Sequence, residues 1–386
     1  MAPVVSTTVS SLVLAISLAA AMIIFPAHAA NPPPIFAFGD SLSDVGNNNA
    51  LPDGFHANFA HYGVDFPGGV ATGRFTNGYN FVDVIAKQIG FDQSPPPFVD
   101  VTEENLSVKQ GVNFASGGSG ILLECMDDTG TTKTCFTMRE QIDNFKSVKT
   151  LLEKKIGADA TKKLLSESLF LFTCGSNDLG YVIEHDLLNV EKFVANMNTT
   201  FSSQLRELYE LGGRKFAVAN VPDGGRIPIV QVLNNGPIEQ FINFYAQAFN
   251  DAEAAMLGEL SSTLPGMKYS IGNTYAVIVD ATSNPEKYGL KNVVQPCCGE
   301  VALVNGEVEL TPCSPTSRLC SNRSEYAFWD QIHPTYAVVK YAGEVFYSGD
   351  LAYAAPINLK QLVGDDQKAP RACGVSLRGV GSFEAM

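Results

Sequence analysis

The chain has 386 residues, with 40 acidic and 26 basic side chains and a formal net charge of −14 at neutral pH. A surface this acidic repels phosphate backbones, and no Lys/Arg cluster offsets it, so nucleic acid is excluded as a partner. Residues 1–30 carry no Asp, Glu, Lys or Arg. The rest of the chain is long enough for one large α/β domain with a substantial core.

The N-terminus has the features of a secretory signal peptide. Residues 11–25 form an uncharged, mostly apolar run that leads to Ala27-His28-Ala29, a small-x-small cleavage pattern. The run is too short for a typical membrane span, Pro26 closes it, and no second run is long enough to cross a bilayer. We therefore expect a signal peptide over residues 1–29 and a secreted protein without a stable membrane span. An uncleaved anchor is the alternative.

Short apolar runs alternate with long amphipathic ones along the mature chain. The strand candidates are Ile35–Phe38, Val112–Ala115, Ser168–Thr173, Lys215–Ala219 and Ala276–Val279. The helix candidates are Asn80–Gly90, Met138–Ile156, Val190–Leu211, Pro237–Leu260 and Thr335–Ser348. This alternation predicts a parallel sheet covered by helices on both faces. We expect one domain over residues 30–363, followed by a glycine-bearing tail over 364–386 that is a candidate for poor order.

Eight cysteines in an exported chain predict disulfides. The disulfide candidates are Cys125, Cys135, Cys297, Cys298, Cys313 and Cys320. The first two bracket a polar loop. The adjacent third and fourth are expected to bond outward to the last two, in an order that the spacing leaves open. Zinc is the alternative for this group, disfavoured by export and by irregular spacing.

Two further features concern single residues. Cys174 ends an apolar run and is expected to be a buried free thiol, while Cys373 lies in the tail. Sequons at Asn105, Asn198 and Asn322 are candidate glycosylation sites, as the exported compartment allows.

Four short polar motifs follow apolar runs or precede the last helix candidate. They are Gly39-Asp40-Ser41, Ser116–Gly120, Gly175–Asp178 and Asp330–Pro334. In parallel α/β sheets, functional groups gather beyond the carboxyl ends of the strands. Each motif alone is weak, because a Ser or Asp after a strand usually caps the next helix. Together they supply a nucleophile, donors for an oxyanion, a base and a group that orients the base.

The base follows by elimination among five histidines. Only His333 has a carboxylate three residues before it and a proline after it. The others lie in the signal peptide, in a polar loop or between acidic residues: His28, His56, His61 and His185. Asp330 can accept a hydrogen bond from Nδ1 of His333, which leaves Nε2 free to take a proton. Pro334 is expected at a first helical position. The alternative is a helix-start Asp with an unrelated His.

Ser41 is the expected nucleophile, at a strand end that opens a helix. A serine hydroxyl becomes nucleophilic only when a base lies within hydrogen-bond reach. The oxyanion of a tetrahedral intermediate then needs donors, and the N–H groups of Gly117, Gly118 and Ser41 and the Asn177 amide are available. The sequence contains no G-x-S-x-G elbow, no P-loop and no H-E-x-x-H motif. Nucleotide and zinc-protease interpretations therefore lose support.

The motifs FGDSLSDVGNNN, GVNFASGGSGI, GSND and FWDQIHPT, in this order, resemble blocks of the plant GDSL esterase/lipase family of the SGNH hydrolases. The match runs from Pro34 to about Val363. The resemblance implies a three-layer α/β/α sandwich with a mainly parallel five-stranded sheet of flavodoxin-like topology. It also implies an enzyme without cofactor or metal, secreted to the extracellular space, with the cell wall or apoplast as the expected location.

Carried over by position, the resemblance implies a nucleophile at Ser41, oxyanion donors at Ser41, Gly118 and Asn177, a triad acid at Asp330 and a base at His333. Gly117 is the neighbour with which Gly118 is most easily confused. Asp40, although adjacent to the serine, is expected to be structural.

The segment VANVPDGGRIP, residues 218–228, departs from the family at Asp223 to Arg226, where a Pro-Leu-Gly-Cys type is usual. This departure bears on the local shape of the pocket and on cysteine pairing.

The predicted function is hydrolysis of carboxylic esters through an acyl-enzyme, on small-molecule, lipid or polymer-borne substrates. One alternative is an acyltransferase that passes the acyl group to an alcohol; another is an inactive secreted binding or defence protein.

Overall fold

The computed structural model describes residues 32–122, 125, 135–184, 189–233 and 236–364. The predicted signal peptide, Cys373 and nearly all of the predicted tail lie outside the described residues. In chain order the strands are β1 (Ile35–Gly39), β2 (Gly111–Asn113), β3 (Leu169–Thr173), β4 (Lys215–Ala219), β5 (Lys268–Gly272), β6 (Asn292–Pro296), β7 (Glu300–Val304), β8 (Glu307–Thr311), β9 (Tyr326–Phe328) and β10 (Ala354–Ala355). The helices are α1 (Phe81–Ile89), α2 (Met138–Ile156), α3 (Ala158–Glu167), α4 (Ser176–Glu184), α5 (Val190–Glu210), α6 (Pro228–Gln231), α7 (Gly236–Thr263), α8 (Thr274–Ser283), α9 (Tyr336–Ser348) and α10 (Leu359–Val363).

The central sheet has the order β10-β5-β4-β3-β1-β2. The strands β1 to β5 pair in parallel, and the two-residue β10 adds an antiparallel edge next to β5. The order 2-1-3-4-5 of the parallel strands is that of flavodoxin-like folds, whose ligands bind where the chain reverses direction, between β1 and β3. The predicted parallel sheet and its topology are confirmed, with β10 as an additional strand.

Helices cover both faces of the sheet because side chains alternate along each strand. Phe36 and Phe38 of β1 point to one face and pack in a core built with α2, α5 and α7. Ile35 and Ala37 point to the other face, where α1, α8, α9 and α10 close the second core. Burial of each phenylalanine stabilises the fold by about 1.5–3 kcal/mol. The three-layer α/β/α prediction is confirmed.

The predicted strand at Ala276–Val279 is wrong. These residues lie inside α8, and the fifth parallel strand is β5, which precedes them. A short apolar run suits a buried strand and a buried helix equally well, so periodicity alone does not separate them. The N-cap of α8 favours the helix over the strand, since the Asn273 side chain accepts a hydrogen bond from the N–H of Ala276.

The disulfides are Cys125–Cys135, Cys297–Cys320 and Cys298–Cys313, and Cys174 is free and buried. The predicted pairing is confirmed, and the order that the sequence left open is settled as a nested one. These bonds use the sulfurs that the zinc alternative required. Across the described part of the chain, no helix is both long and apolar enough to span a membrane.

Candidate active site

Ser41 follows the carboxyl end of β1 in a tight turn. Gly39 has φ of +129°, and a Cβ there would lie 1.9 Å from the carbonyl oxygen of Thr173 on β3. The N–H of Asp40 donates to that same oxygen at 2.8 Å. The Asp40 carbonyl then accepts from the N–H groups three and four residues further on. The expected helix does not begin here, because the chain turns and forms only a short 3₁₀ segment at Asn47–Ala50.

The structure brings Ser41, His333 and Asp330 together. Nε2 of His333 lies 2.8 Å from Oγ of Ser41, although 292 residues separate them in sequence. Nδ1 of His333 lies 2.9 and 2.8 Å from the two carboxylate oxygens of Asp330. His333 is 8% exposed and Asp330 is 2% exposed. A hydroxyl, an imidazole and a carboxylate in this order have the geometry for activating a serine.

Asp330 is held in its charged form. Burial by itself raises the pKa of this carboxyl, but the charge and hydrogen bond of His333 and the N–H groups of Ile332 and His333 hold the pKa below its ordinary value. Those N–H groups lie 3.0 and 2.8 Å from Oδ1. The carboxylate therefore folds back over its own loop and fixes the position of the imidazole.

The loop that carries Asp330 and His333 closes on itself. The N–H of Trp329 donates to the carbonyl of His333 at 2.7 Å. The helix α9 begins at Tyr336 with Thr335 as its cap, so the expected first helical position of Pro334 is wrong. The proline therefore precedes the cap. The N–H of Thr335 donates a hydrogen bond to the carbonyl of Ala327, which holds the chain extended at that point.

In the glycine turn after β2, the N–H of Gly117 is hydrogen-bonded within the fold, whereas that of Gly118 is left available. The N–H of Gly117 donates to Oδ2 of Asp44 at 2.9 Å. The N–H of Gly118, where φ is +90°, and the N–H of Ser41 make no hydrogen bond with any described residue. The Asn177 amide donates to the carbonyl of Ser119 at 2.8 Å, which orients its nitrogen beside this turn. The geometry favours Gly118 over Gly117 as an oxyanion donor.

Asn47 and Asn48 have a structural role in the asparagine-rich segment after Ser41, to which sequence reasoning assigned no role. The Asn47 amide donates to the carbonyls of Asn113 and Ala115 at 3.0 and 2.8 Å. The Asn48 amide donates to the carbonyl of Gly117 at 2.8 Å, and its oxygen accepts from the Ser116 hydroxyl. These side chains fasten the turn after β1 to the turn after β2. The composition of the segment was the only available signal.

Two buried carboxylates lie next to the serine and belong to the same turn. Burial raises the pKa of Asp40 to about 7, against the hydrogen bond from the N–H of Leu42 and the nearby charge of His333. Burial likewise raises the pKa of Asp44 to about 6, against N–H donors that include Gly117. Both side chains accept backbone hydrogen bonds, which agrees with a structural role for Asp40.

Gln141 of α2 ties the end of β1 to the glycine turn, and sequence reasoning missed it. Its oxygen accepts the N–H of Gly39 at 2.8 Å, and its nitrogen donates to the carbonyl of Gly39 at 2.9 Å and to Oγ of Ser119 at 3.0 Å. The contact joins residues 102 positions apart. Only the tertiary structure reveals it.

Tyr62 and Phe75 contact Asp330 and His333 from a polar loop. The Tyr62 hydroxyl donates to Oδ2 of Asp330 at 2.8 Å. The ring of Phe75 lies 5.2 Å from the ring of His333, centroid to centroid. Both aromatic side chains are buried beside Trp329. The imidazole and the carboxylate are thus held by packing as well as by hydrogen bonds.

A cleft of about 720 Å³ is lined in part by residues that follow Ser41 in sequence. It runs between residues 45–50 and 92–100, along the ion pair of Arg74 and Asp83, and neither Ser41 nor His333 lines it. Nε of Arg74 lies 2.6 Å from Oδ2 of Asp83, and both side chains are buried. This pair also joins the capping contact of α1, so we assign it a structural role.

Comparison with known proteins identifies the family of the chain. The sequence profile of the family described as GDSL-like Lipase/Acylhydrolase matches residues 35–346. A GDSL esterase/lipase of Arabidopsis thaliana is 37% identical over 347 residues, which cover 86% of this chain and 90% of that protein. A second is 38% identical over 309 residues, covering 78% and 82%. The anther-specific proline-rich protein APG of Brassica napus is 35% identical, covering 78% and 68%. The chain belongs to the GDSL-like lipase/acylhydrolase family.

Proposed function

We propose that the protein is a secreted serine esterase that hydrolyses carboxylic esters through an acyl-enzyme on Ser41. As a member of the GDSL family it is a carboxylic ester hydrolase. The observation that carries the mechanism is the 2.8 Å contact between His333 Nε2 and Ser41 Oγ, with Asp330 on the other imidazole nitrogen.

In the first half-reaction, Nε2 of His333 takes the Ser41 proton while Oγ attacks the ester carbonyl carbon. The imidazolium that forms is stabilised by the Asp330 carboxylate, which stays charged. His333 then gives its proton to the departing alcohol, and the acyl group remains on Ser41. Water repeats these steps in the second half-reaction and releases the acid.

The negative oxygen of each tetrahedral intermediate is assigned to the N–H groups of Ser41 and Gly118 and to the Asn177 amide. The two N–H groups support this assignment, because neither donates a hydrogen bond to another group within the described residues. Donors fixed by the backbone before the reaction cost no reorganisation when charge develops.

The test is a Ser41→Ala variant assayed on p-nitrophenyl butyrate. We expect turnover to fall at least a thousandfold with an unchanged thermal midpoint, because only the hydroxyl is removed. A fluorophosphonate probe should modify the wild-type protein at Ser41 and leave the variant unmodified. Full activity in the variant, or labelling at another residue, would overturn the proposal.

We also infer secretion with removal of residues 1–29, supported by the disulfides of an oxidising compartment. Asn105 and Asn322 are exposed in loops or short turns, whereas Asn198 is half-buried within α5. We therefore infer glycans at the first two sites and none at the third. Protein recovered from the medium of expressing plant cells should begin at Ala30. Asn→Gln variants at Asn105 and Asn322 should each remove one glycosidase-sensitive mass shift; a start at Met1 would refute cleavage.

A further inference from the structure

Phe55 is an exposed aromatic side chain that lies directly on the glycine turn of the site. It is 56% exposed. A Cβ built on Gly118 would lie 2.9 and 3.0 Å from ring atoms Cδ2 and Cε2 of Phe55, so the ring rests on the face of this glycine. A large apolar side chain left in water beside a reactive centre is unfavourable for folding alone.

The backbone of Phe55 is hydrogen-bonded, through Asn48, to the turn that carries Gly118. The carbonyl of Phe55 accepts from the Asn48 amide at 3.1 Å, and the same nitrogen donates to the carbonyl of Gly117 at 2.8 Å. Buried residues stand close on both sides in sequence, Leu51 and Ala57. One amide thus joins the backbone of Phe55 to the proposed oxyanion turn, and the ring contacts that turn at Gly118.

The chemistry of the intermediate decides what such a ring meets. The carbonyl carbon bonded to Ser41 carries three other groups: the oxyanion, the departing alcohol and the acyl chain. The alcohol must lie at Nε2 of His333, since it receives its proton there. The oxyanion lies at Gly118. The acyl chain is the organic group that His333 does not hold, and the exposed apolar side chain that contacts Gly118 is Phe55.

We propose that Phe55 is the residue that sets acyl-chain selectivity, with its ring as the platform on which an apolar acyl chain lies during acylation. This inference rests on the proposed function and assigns to one side chain the preference for esters of apolar acids longer than acetate. Neither Ser41 nor His333 lines the 720 Å³ cleft, whereas the ring of Phe55 contacts Gly118, so we assign the discrimination to Phe55. An apolar contact made by the longer chain and not by acetate changes their ratio.

The experiment compares kcat/KM for p-nitrophenyl acetate, butyrate and octanoate in the wild type, Phe55→Ala and Phe55→Leu. We expect Phe55→Ala to lose about tenfold on octanoate and less than twofold on acetate, because a contact of a few methylene groups is removed. Phe55→Leu should recover part of the octanoate rate. A second series keeps the acyl group as butyrate and varies the alcohol, and we expect each variant to retain the wild-type order of alcohols.

Phe244→Ala is the matched control, since this phenylalanine is 59% exposed on α7 and its ring contacts Tyr245. It should leave the octanoate-to-acetate ratio unchanged. Equal losses on acetate and octanoate in Phe55→Ala, or a loss that follows the alcohol, would overturn the inference. Failure of the proposed function is distinguishable, because it appears in the wild type as absent fluorophosphonate labelling of Ser41.

Discussion

The hydroxyl of Tyr62 donates a 2.8 Å hydrogen bond to Oδ2 of Asp330, across 268 residues of sequence. The carboxylate oxygen that receives it also contacts Nδ1 of His333 at 2.8 Å. Burial and the negative charge of Asp330 raise the pKa of Tyr62 well above its usual range, so the phenol keeps its proton and remains a donor. Tyr62 therefore extends the Ser41–His333–Asp330 chain by one member.

The first prediction concerns Tyr62→Phe, which removes this donor and keeps the ring. A hydrogen bond to a charged group is worth about 1.5–3 kcal/mol, so we expect kcat/KM to fall about tenfold or more. Loss of the donor raises the pKa of Asp330, and the reaction needs this group charged. The acidic limb that reports Asp330 should therefore move to higher pH, measured as kcat/KM from pH 3 to 8.

Tyr326→Phe is the control for this variant. Tyr326 packs in the same aromatic and cysteine cluster, and within the described residues its hydroxyl has no hydrogen-bond partner. Its pH–rate profile should match the wild type. An acidic limb in Tyr62→Phe that coincides with that of the wild type would show that Asp330 does not depend on the phenol.

The second prediction tests the oxyanion assignment with Asn177→Ala. Removing one oxyanion donor typically lowers kcat by about 10²–10³-fold, and KM should change little because the donor acts on the transition state. Gly180→Ala is the matched change on the same helix, α4, where an added Cβ meets nothing within 4 Å. Steady-state kinetics should separate the two variants; a kcat for Asn177→Ala within threefold of Gly180→Ala contradicts the assignment.

The third prediction concerns Glu253, a fully buried carboxyl in α7. Neither of its oxygens has a hydrogen-bond partner among the described residues, and burial raises its pKa from 4.5 to about 8. The folded state therefore holds the proton to higher pH than the unfolded state does. Stability contributed by this proton is complete below pH 4.5 and is lost as the pH rises towards 8, at up to about 1.4 kcal/mol per pH unit.

A Glu253→Gln variant has a neutral amide in place of the carboxyl, so this position no longer titrates. Its thermal midpoint should exceed that of the wild type by a margin that grows from pH 5 to pH 8, as measured by differential scanning fluorimetry. Glu259→Gln is the control, because that side chain lies on the same helix and is 71% exposed. Parallel pH curves for Glu253→Gln and the wild type would show that Glu253 does not titrate in this range.

The fourth prediction concerns the nested disulfides. Cys298 and Cys313 are 15 residues apart, and loop-closure entropy gives a bond of this span about 3 kcal/mol of stability. Replacing both by serine should lower the free energy of unfolding by about that amount in urea titrations. The Cys298–Cys313 bond already closes most of the 23 residues that the Cys297–Cys320 bond spans, so removal of the outer bond alone should cost less than an isolated loop of that span would. A loss below 1 kcal/mol for either pair would show that the native bonds are strained or that the unfolded chain is already compact.

The sequence predicts the sheet well where a run is both apolar and followed by a glycine turn, as at β1 and β3. It fails at β5, whose residues Lys268–Gly272 are polar at the start and only partly buried. The sequence instead predicts a strand at the apolar run that follows, Ala276–Val279. Tertiary context decides such cases, because β5 is completed by pairing with β4 and β10 and not by its own composition.

The candidate site divides in the same way. Ser41, Asn177 and His333 stand in motifs whose order along the chain is specific, so they were predicted from sequence. Tyr62 and Gln141 stand in no motif, and each makes a hydrogen bond with a residue more than 100 positions away. A single sequence contains no signal for such pairs. Their roles follow from hydrogen-bond distances alone.

The separation of Ser41 from His333 has a consequence for biosynthesis. During translation, the nucleophile is incorporated 292 residues before its base. In the proposed mechanism, a nascent chain therefore carries an unactivated serine through nearly the whole of its synthesis, and a product that stops before residue 333 is inert towards esters.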